Sequence, residues 1–235
     1  MSSSRISTRR LLMDAFIYVK PIYFSMLTFF APTLLIELIL PTIKSPSANF
    51  LVEFVNVLFV IPFVTGASIF YTYGNLTQRG ATVPESLQAA GEKFVQLSLL
   101  IILLLAFLIP TFFVFQIPAL ILVVIPGIYL NIRWSFVFYA VMVEGYSVLE
   151  ALRRSWKLTR GNWWLIFRAF LLFMLILILP IVFLIFVIFA IFHLESLDLA
   201  RLIGGTVGFL ISPFISIYYV LVFMSLVNIV VDNKK

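Results

Sequence analysis

Residues 125–164 read IPGIYLNIRWSFVFYAVMVEGYSVLEALRRSWKLTRGNWW, and their pattern is the most informative about the fold. An apolar segment that carries Arg133 comes first, and the turn Glu144-Gly145 follows it. A basic amphipathic segment comes next, and Trp163-Trp164 then opens a second long apolar segment. Because about 20 consecutive apolar residues are typical of a transmembrane helix, the stretch predicts two membrane helices joined by a basic segment at the membrane surface.

The composition of the whole chain agrees with a membrane environment. Hydrophobic residues make up 63% of the 235 positions, charged residues only 11%, and there are 26 Phe. Soluble domains have about half apolar and about a quarter charged residues, so lipid is the expected solvent for most of this chain. The length suits a single all-α membrane domain without a second soluble domain.

The apolar stretches predict six transmembrane helices. Their expected ranges are 22–40, 50–73, 94–115, 118–141, 163–192 and 202–231. Residues 1–21 form a basic N-terminal segment, which we expect to be retained because no signal-peptide cleavage pattern follows it. Residues 232–235 form a short tail. The expected protein is therefore an all-α, polytopic membrane protein.

The distribution of cations predicts the orientation. With six crossings, the main basic groups share one side, and Lys and Arg favour the cytoplasmic side. They are Arg5, Arg9, Arg10, Lys20, Arg79, Lys93, Arg153, Arg154, Lys157, Arg160, Lys234 and Lys235. Both termini are therefore expected in the cytoplasm. The expected location is a prokaryotic plasma (inner) membrane, and an internal membrane such as a thylakoid fits as well. The positive-inside rule also explains the net charge of +6 better than nucleic-acid binding does.

An internal repeat is visible at residues 80–87 and 145–152. Gly, Val, Glu and Leu occur at matching offsets in the two segments. Each segment leads into an apolar helix that reaches a proline, Pro110 in one case and Pro180 in the other. The pattern predicts interfacial helices at 82–93 and 147–160, each followed by a transmembrane hairpin. Residues 8–20 are a third, more divergent candidate.

The segment 147–160 is predicted to be an amphipathic helix that begins with a capping box of Ser147 and Glu150 and ends near Gly161. One face was assigned to Val148, Leu149, Leu152, Trp156 and Thr159. The other was assigned to Glu150, Arg153, Arg154, Lys157 and Arg160. Such a helix can lie in the headgroup layer with its cations near lipid phosphates. In an alternative interpretation, these cations only set the topology, and both interpretations can hold together.

Ionisable residues inside or beside the spans are candidates for a functional role, because charged side chains are rare in membrane helices. Arg133 is the deepest, Arg168 lies one turn inside the fifth span, and Glu144 is an expected partner for either. The competing interpretation is that they pair with one another or extend to headgroups. No catalytic set, cofactor motif or metal-ligand pattern is recognisable, and His193 beside Glu195 and Asp198 is interpreted as an interfacial turn.

Proline and glycine occur within the predicted spans. The prolines predict kinks, and the group Gly204, Gly205 and Gly208 predicts close helix packing.

The stretch 125–164 is similar to the membrane domain attached to some bacterial glycerophosphoryl diester phosphodiesterases, and to related stand-alone inner-membrane proteins of unknown function. The matching residues are Pro126, Gly127, Arg133, Glu144, Gly145, Ala151, Leu152, Ser155, Trp156, Leu158, Gly161 and Trp163. The resemblance implies a multi-pass prokaryotic membrane protein. It does not imply phosphodiesterase activity, which belongs to a separate soluble barrel.

The leading hypothesis is a non-catalytic membrane protein that uses its basic helices to engage anionic lipid, another membrane protein or a second copy of itself. The expected contact residues are Arg153, Arg154, Trp156, Lys157, Arg160, Trp163 and Trp164. The alternative is a transporter or permease for a small or lipid-like solute with a cleft at Arg133. An intramembrane enzyme is the least favoured class.

Overall fold

The computed structural model describes residues 8–114, 120–191 and 197–232. Secondary structure in these ranges is helical, and they contain no strand. The helices are α1 Thr8–Ile39, α2 Pro46–Val55, α3 Ile61–Leu76, α4 Val83–Glu92, α5 Phe94–Val114, α6 Leu120–Trp134, α7 Val137–Met142, α8 Val148–Thr159, α9 Trp163–Phe173, α10 Leu179–Ile191 and α11 Leu197–Asp232. The all-α prediction is confirmed for this part of the chain.

Several positions named in the sequence analysis lie outside the described residues. They are Arg5, His193, Glu195, Lys234 and Lys235, together with the predicted span limits at 115, 118 and 192.

Four helical stretches of the described chain are long and apolar enough to cross a membrane. They are Thr8–Thr42, Pro46–Leu76, Trp163–Val187 and Asp198–Asn228. A fifth candidate is the pair Val83–Glu92 and Phe94–Ala106, which is bent by 65° at its break. The structure thus gives four or five candidate crossings, and they coincide with five of the six predicted spans.

The fourth predicted span, 118–141, is interrupted. α6 has 15 residues and α7 has 6, and a turn at Ser135 and Phe136 separates them. Neither helix alone has the length of a membrane span, since about 20 residues are needed to cross the hydrocarbon layer.

The first helix differs from the expected N-terminal layout. α1 runs from Thr8 to Ile39 without a break, so residues 8–21 continue directly into the first span instead of forming a separate interfacial segment. Leu11, Leu12 and Ala15 are buried in this part of α1. Packing against the rest of the protein therefore holds the N-terminal turns in line with the span.

Two prolines follow turns of π-helix. The residues Asn56–Val60 and Met174–Ile178 adopt this wider helix, and Pro62 and Pro180 each come two residues after its end. Proline lacks the N–H that would bond to the carbonyl four residues earlier. A local shift to i→i+5 bonding is one way for a helix to absorb this loss. The structure thus shows a local irregularity before each of these two prolines, and the predicted kinks stay predictions.

Ion pairs join α1, α2 and α11 near the N-terminal end of α11. The Arg201 guanidinium pairs with the carboxylates of Glu37 and Glu53, and its Nε lies 3.2 Å from the Glu37 Oε2. The three side chains are partly exposed, so the pairs contribute orientation more than stability.

Glycine allows α11 to approach α1 closely at one position. A Cβ added at Gly205 would lie 3.0 Å from the Cβ of Glu37. Gly204 and Gly208 have no such neighbour within 4 Å. The predicted close packing is therefore found at Gly205, where α11 contacts α1 of the same chain.

Candidate functional site: the junction of Arg133 and helix α8

Helix α8 begins and ends where the sequence predicted. Ser147 is its N-cap, and the Glu150 carboxylate accepts hydrogen bonds from the Ser147 N–H at 3.1 Å and Oγ–H at 2.6 Å. These bonds, the side-chain bond first, hold the pKa of Glu150 below its ordinary value. After the last helical residue, Thr159, Gly161 takes a left-handed φ of 84° that glycine adopts without strain.

Helix α4 begins in the same way. The Thr82 N–H donates to Glu85 Oε2 at 2.9 Å, and the Glu85 N–H donates back to Thr82 Oγ1 at 3.4 Å. The bond from the Thr82 backbone is the main cause that lowers the pKa of Glu85. Both helices also follow a glycine with left-handed φ, 66° at Gly80 and 74° at Gly145.

The face that α8 packs against the protein is distinct from most of the apolar face expected at the lipid boundary. Its buried residues are Val148, Ala151, Ser155, Leu158 and Thr159. Leu149 is 64% exposed and Trp156 is 38% exposed, so the largest apolar side chains of the predicted apolar face point away from the packed side. Small residues such as Ala151 and Ser155 allow α8 to lie close to its neighbours. Val148 and Thr159 of the predicted apolar face are therefore packed within the protein, whereas Leu149 and Trp156 are exposed, and their placement at the lipid boundary stays a prediction.

Arg133 is enclosed by α8 and by aromatic rings. The residue is only 9% exposed. Its Nη2 donates to the Tyr129 hydroxyl at 2.7 Å, and its Nη1 lies 3.3 Å from Thr159 Oγ1. The guanidinium carbon lies 4.9 Å from the ring centroids of both Tyr129 and Trp156. Cation–π contact and the negative end of the α8 dipole compensate the charge.

The surroundings of Arg133 also bear on the transporter alternative, which requires a cleft at this residue. Arg133 has no carboxylate partner among the described residues, and the rings of Tyr129 and Trp156 cover it. The described side chains therefore cover most of Arg133, and the transporter alternative, which depends on a cleft at this residue, stays a hypothesis.

Ser155 connects α8 to the interruption between α6 and α7. Its Oγ donates to the Arg133 carbonyl at 2.7 Å and accepts from the Phe136 N–H at 3.3 Å. The side chain is fully buried. One hydroxyl thus satisfies two backbone groups that the break would otherwise leave unpaired, which buried structure avoids. The sequence pattern did not identify this residue's role.

Glu144 pairs with Arg154 rather than with either expected partner. The Arg154 Nε donates to Glu144 Oε2 at 2.8 Å, and its Nη2 donates to Oε1 at 2.5 Å. This side-chain bonding raises the pKa of Arg154. Arg168 is exposed, and its Nε donates to the Trp164 carbonyl at 3.3 Å. The prediction that Glu144 pairs with Arg133 or Arg168 is therefore wrong.

The tryptophan pair divides between the interior and the surface. The Trp163 ring stacks on Phe167 at 5.2 Å and on Tyr129 at 6.0 Å between centroids. Its Nε1 is buried without a hydrogen-bond partner in the described structure, as is the Nε of Arg133. Trp164 is 67% exposed. Trp163 is half-buried, so Trp164 offers the larger surface for contact with lipid or a partner.

The remaining predicted contact residues form one continuous surface, which we call the outer face of α8. Arg153, Lys157 and Arg160 are exposed, and the bidentate pair removes Arg154 from this set. Leu149 lies one helical turn before Arg153, and Trp156 lies one turn from both Arg153 and Arg160, so these side chains are neighbours on the helix surface. The outer face therefore consists of Leu149, Arg153, Trp156, Lys157 and Arg160.

These observations define a class of protein: a helical chain whose several apolar helices indicate a membrane-embedded protein, with a cationic and aromatic helix fixed beside them. The groups at this junction are hydrogen-bond donors and cations, so the chemistry they offer is anion binding. Comparisons with protein-family models, with curated proteins and with solved structures give no match. The resemblance of residues 125–164 to the phosphodiesterase-associated membrane domain remains a prediction.

Proposed function

We propose that this chain is a non-catalytic integral membrane protein that binds anionic lipid headgroups through the outer face of α8. A protein partner with an acidic surface is the competing occupant of the same face. The proposal assigns no catalytic step to any residue.

One observation carries the proposal: α8 is attached rigidly on one side and carries three exposed cations on the other. Arg133, Ser155 and the pair Glu144–Arg154 hold the packed side. The outer face combines these cations with exposed Leu149 and Trp156. Apolar side chains that enter the headgroup boundary next to cations that reach phosphates are typical of helices at an anionic membrane surface.

The proposal includes a topology with six crossings and both termini in the cytoplasm of a prokaryotic cell. α6 and α7 would together form one interrupted crossing, which is possible where the interruption is packed within the protein. The similar starts of α4 and α8 support a repeated unit in which an interfacial helix precedes a hairpin. α8 would then lie at the cytoplasmic surface, where anionic lipids attract basic residues.

The test is the lipid selectivity of the variant Arg153→Gln/Lys157→Gln/Arg160→Gln in nanodiscs. The selectivity is the association of spin-labelled phosphatidylglycerol relative to spin-labelled phosphatidylcholine. Each cation near an anionic surface contributes about 1 kcal/mol, so we expect the selectivity to fall at least about tenfold.

The matched control is Arg9→Gln/Lys20→Gln/Lys93→Gln, which removes the same charge elsewhere on the expected cytoplasmic side. We expect it to retain most of the selectivity. Equal selectivity in the two triple variants would contradict the lipid proposal. If crosslinking in whole membranes then showed loss of an acidic protein from the outer-face variant alone, the occupant would be a protein.

A further inference from the structure

A cavity of ≈ 370 Å³ lies between α1, α3, α11 and the junction of α6 with α7. It is separate from the outer face of α8 and shares no residue with it. Ser68 of α3 and Ser216 of α11 line it, and both lie within stretches that are long and apolar enough to cross a membrane. A volume of this size is within the range of small-molecule binding sites.

Hydroxyl groups form a connected string that includes Ser68 and Ser216 of the cavity lining and extends to Thr72 outside it. Ser216 Oγ lies 3.4 Å from Ser68 Oγ and 3.4 Å from Thr72 Oγ1. The Ser68 hydroxyl donates in turn to the Thr65 carbonyl at 2.9 Å. Ser68, Thr72 and Ser216 are all buried. Each hydroxyl donates one hydrogen bond, and a hydroxyl oxygen has two acceptor lone pairs. The string therefore keeps acceptor capacity for a further polar group.

Two phenols in the cavity lining have no hydrogen-bond partner in the described structure. They are Tyr139 of α7 and Tyr219 of α11. Tyr139 is 7% exposed, and its ring is fixed by stacking on Phe223 at 5.4 Å. A buried phenol O–H usually finds an acceptor. These two donors are therefore available to a molecule in the cavity.

The rest of the lining selects against charge. Apolar walls come from Phe30, Ile69, Phe138 and Ile215, and the lining residues that the structure describes include no Lys, Arg, His, Asp or Glu. An ion without a partner in such surroundings carries a large desolvation cost. An acyl or alkyl body with a hydroxyl or carbonyl head matches both the walls and the free phenols.

We propose that this cavity binds an uncharged amphiphile with a hydroxyl or carbonyl head, and that Tyr139 and Tyr219 donate hydrogen bonds to that head. The hydroxyls of Ser68 and Ser216 provide further polar contacts in the site, in addition to those of the two phenols. The inference stands independently of lipid binding at α8, since it concerns neutral molecules and other residues.

The test uses photolabelling of the full chain in nanodiscs with a diazirine-bearing decanol, with the adducts mapped by mass spectrometry. We expect saturable labelling on the segments of α3 and α11 that line the cavity. The double variant Tyr139→Phe/Tyr219→Phe keeps both rings but removes the donors. It should lower the affinity about fivefold for each hydroxyl lost, from the usual net value of a hydrogen bond.

Two controls make the result decisive. Tyr71→Phe removes a phenol of α3 that is buried but does not line the cavity, and it should leave labelling unchanged. Decyl sulfate with the same diazirine has the same chain and a permanent charge, and it should not label the cavity segments. Equal labelling of the wild type and the double variant would overturn the proposal, as would equal labelling by the sulfate or the absence of cavity adducts.

Discussion

Helices α4 and α8 begin alike but differ in what they present. Each follows a glycine with left-handed φ, and each is capped by a hydroxyl residue and a glutamate three positions later. Yet α4 buries only Ser86 and Ala90 and contains no Lys or Arg. α8 buries five residues and carries Arg153, Arg154 and Lys157.

The comparison separates two kinds of information in the sequence. The glycine, cap and glutamate determine where a helix starts, because they satisfy its first N–H groups. The residues that follow determine what the helix contacts. We infer that the shared start is structural and that the surface of α8 carries the function.

The largest effect on stability should come from exchanging the residues at one matching position of the two helices, Ser155 in α8 and Ala90 in α4. Ser155→Ala removes the hydroxyl that bridges the Arg133 carbonyl and the Phe136 N–H, and it leaves both buried groups unpaired. We expect a loss of about 2 kcal/mol in the free energy of unfolding, measured by denaturation in detergent. Ala90→Ser in α4 adds a hydroxyl without breaking a bond, and it should cost less. A larger loss from Ala90→Ser would contradict the distinction between the helices.

The sequence was sufficient to predict the helical class, most of the long apolar helices and both ends of α8. These features depend on composition and on local signals such as Ser147, Glu150 and Gly161, which act over a few residues. The interruption at Ser135 and Phe136 was not predictable in this way. No proline or glycine marks it, and it is stabilised by Ser155 from another helix.

The site was predicted less well than the fold. Arg133 and the cations of α8 were identified, but Glu144 was assigned the wrong partner. Its pairing with Arg154 depends on how the turn brings α8 back beside it, which residue spacing alone does not give. Trp156 was expected to contact lipid or a partner, and it is exposed on α8. The small residues that form the packed side of α8 were not identified from the sequence. The cavity hydroxyls come together only in the folded bundle.

A smaller loss of stability should come from replacing the glycine before each helix, and we expect the loss to be equal for α4 and α8. Gly80→Ala and Gly145→Ala each place a Cβ in open space, so the cost is only that of the left-handed backbone. That cost is about 1 kcal/mol in each case. Thermal unfolding of both variants checks this, and a clearly unequal loss would show that the two starts are not equivalent.

The smallest expected effect is the dependence of stability on pH through the two capping glutamates. The pKa of Glu85 and of Glu150 is lowered from 4.5 by their bonds to the N-caps. A carboxyl with a lowered pKa in the folded state stabilises that state above its unfolded pKa. This contribution is complete above about pH 4.5 and is lost as the pH falls through the lowered value. NMR titration of labelled glutamate should show both values below the reference, and Ser147→Ala should raise that of Glu150 alone. An unchanged Glu150 titration in that variant would contradict the capping assignment.

The most direct test of the account is the depth of the two sides of α8 relative to the membrane. The chain contains no cysteine, so single spin labels can be placed at Leu149→Cys and Glu150→Cys without other changes. Electron paramagnetic resonance with oxygen and a water-soluble nickel complex then reports the surroundings of each label. We predict that the label at 149 lies at the lipid boundary and that the label at 150 is in water. Equal exposure of both labels to water would contradict binding of the membrane surface by the outer face of α8.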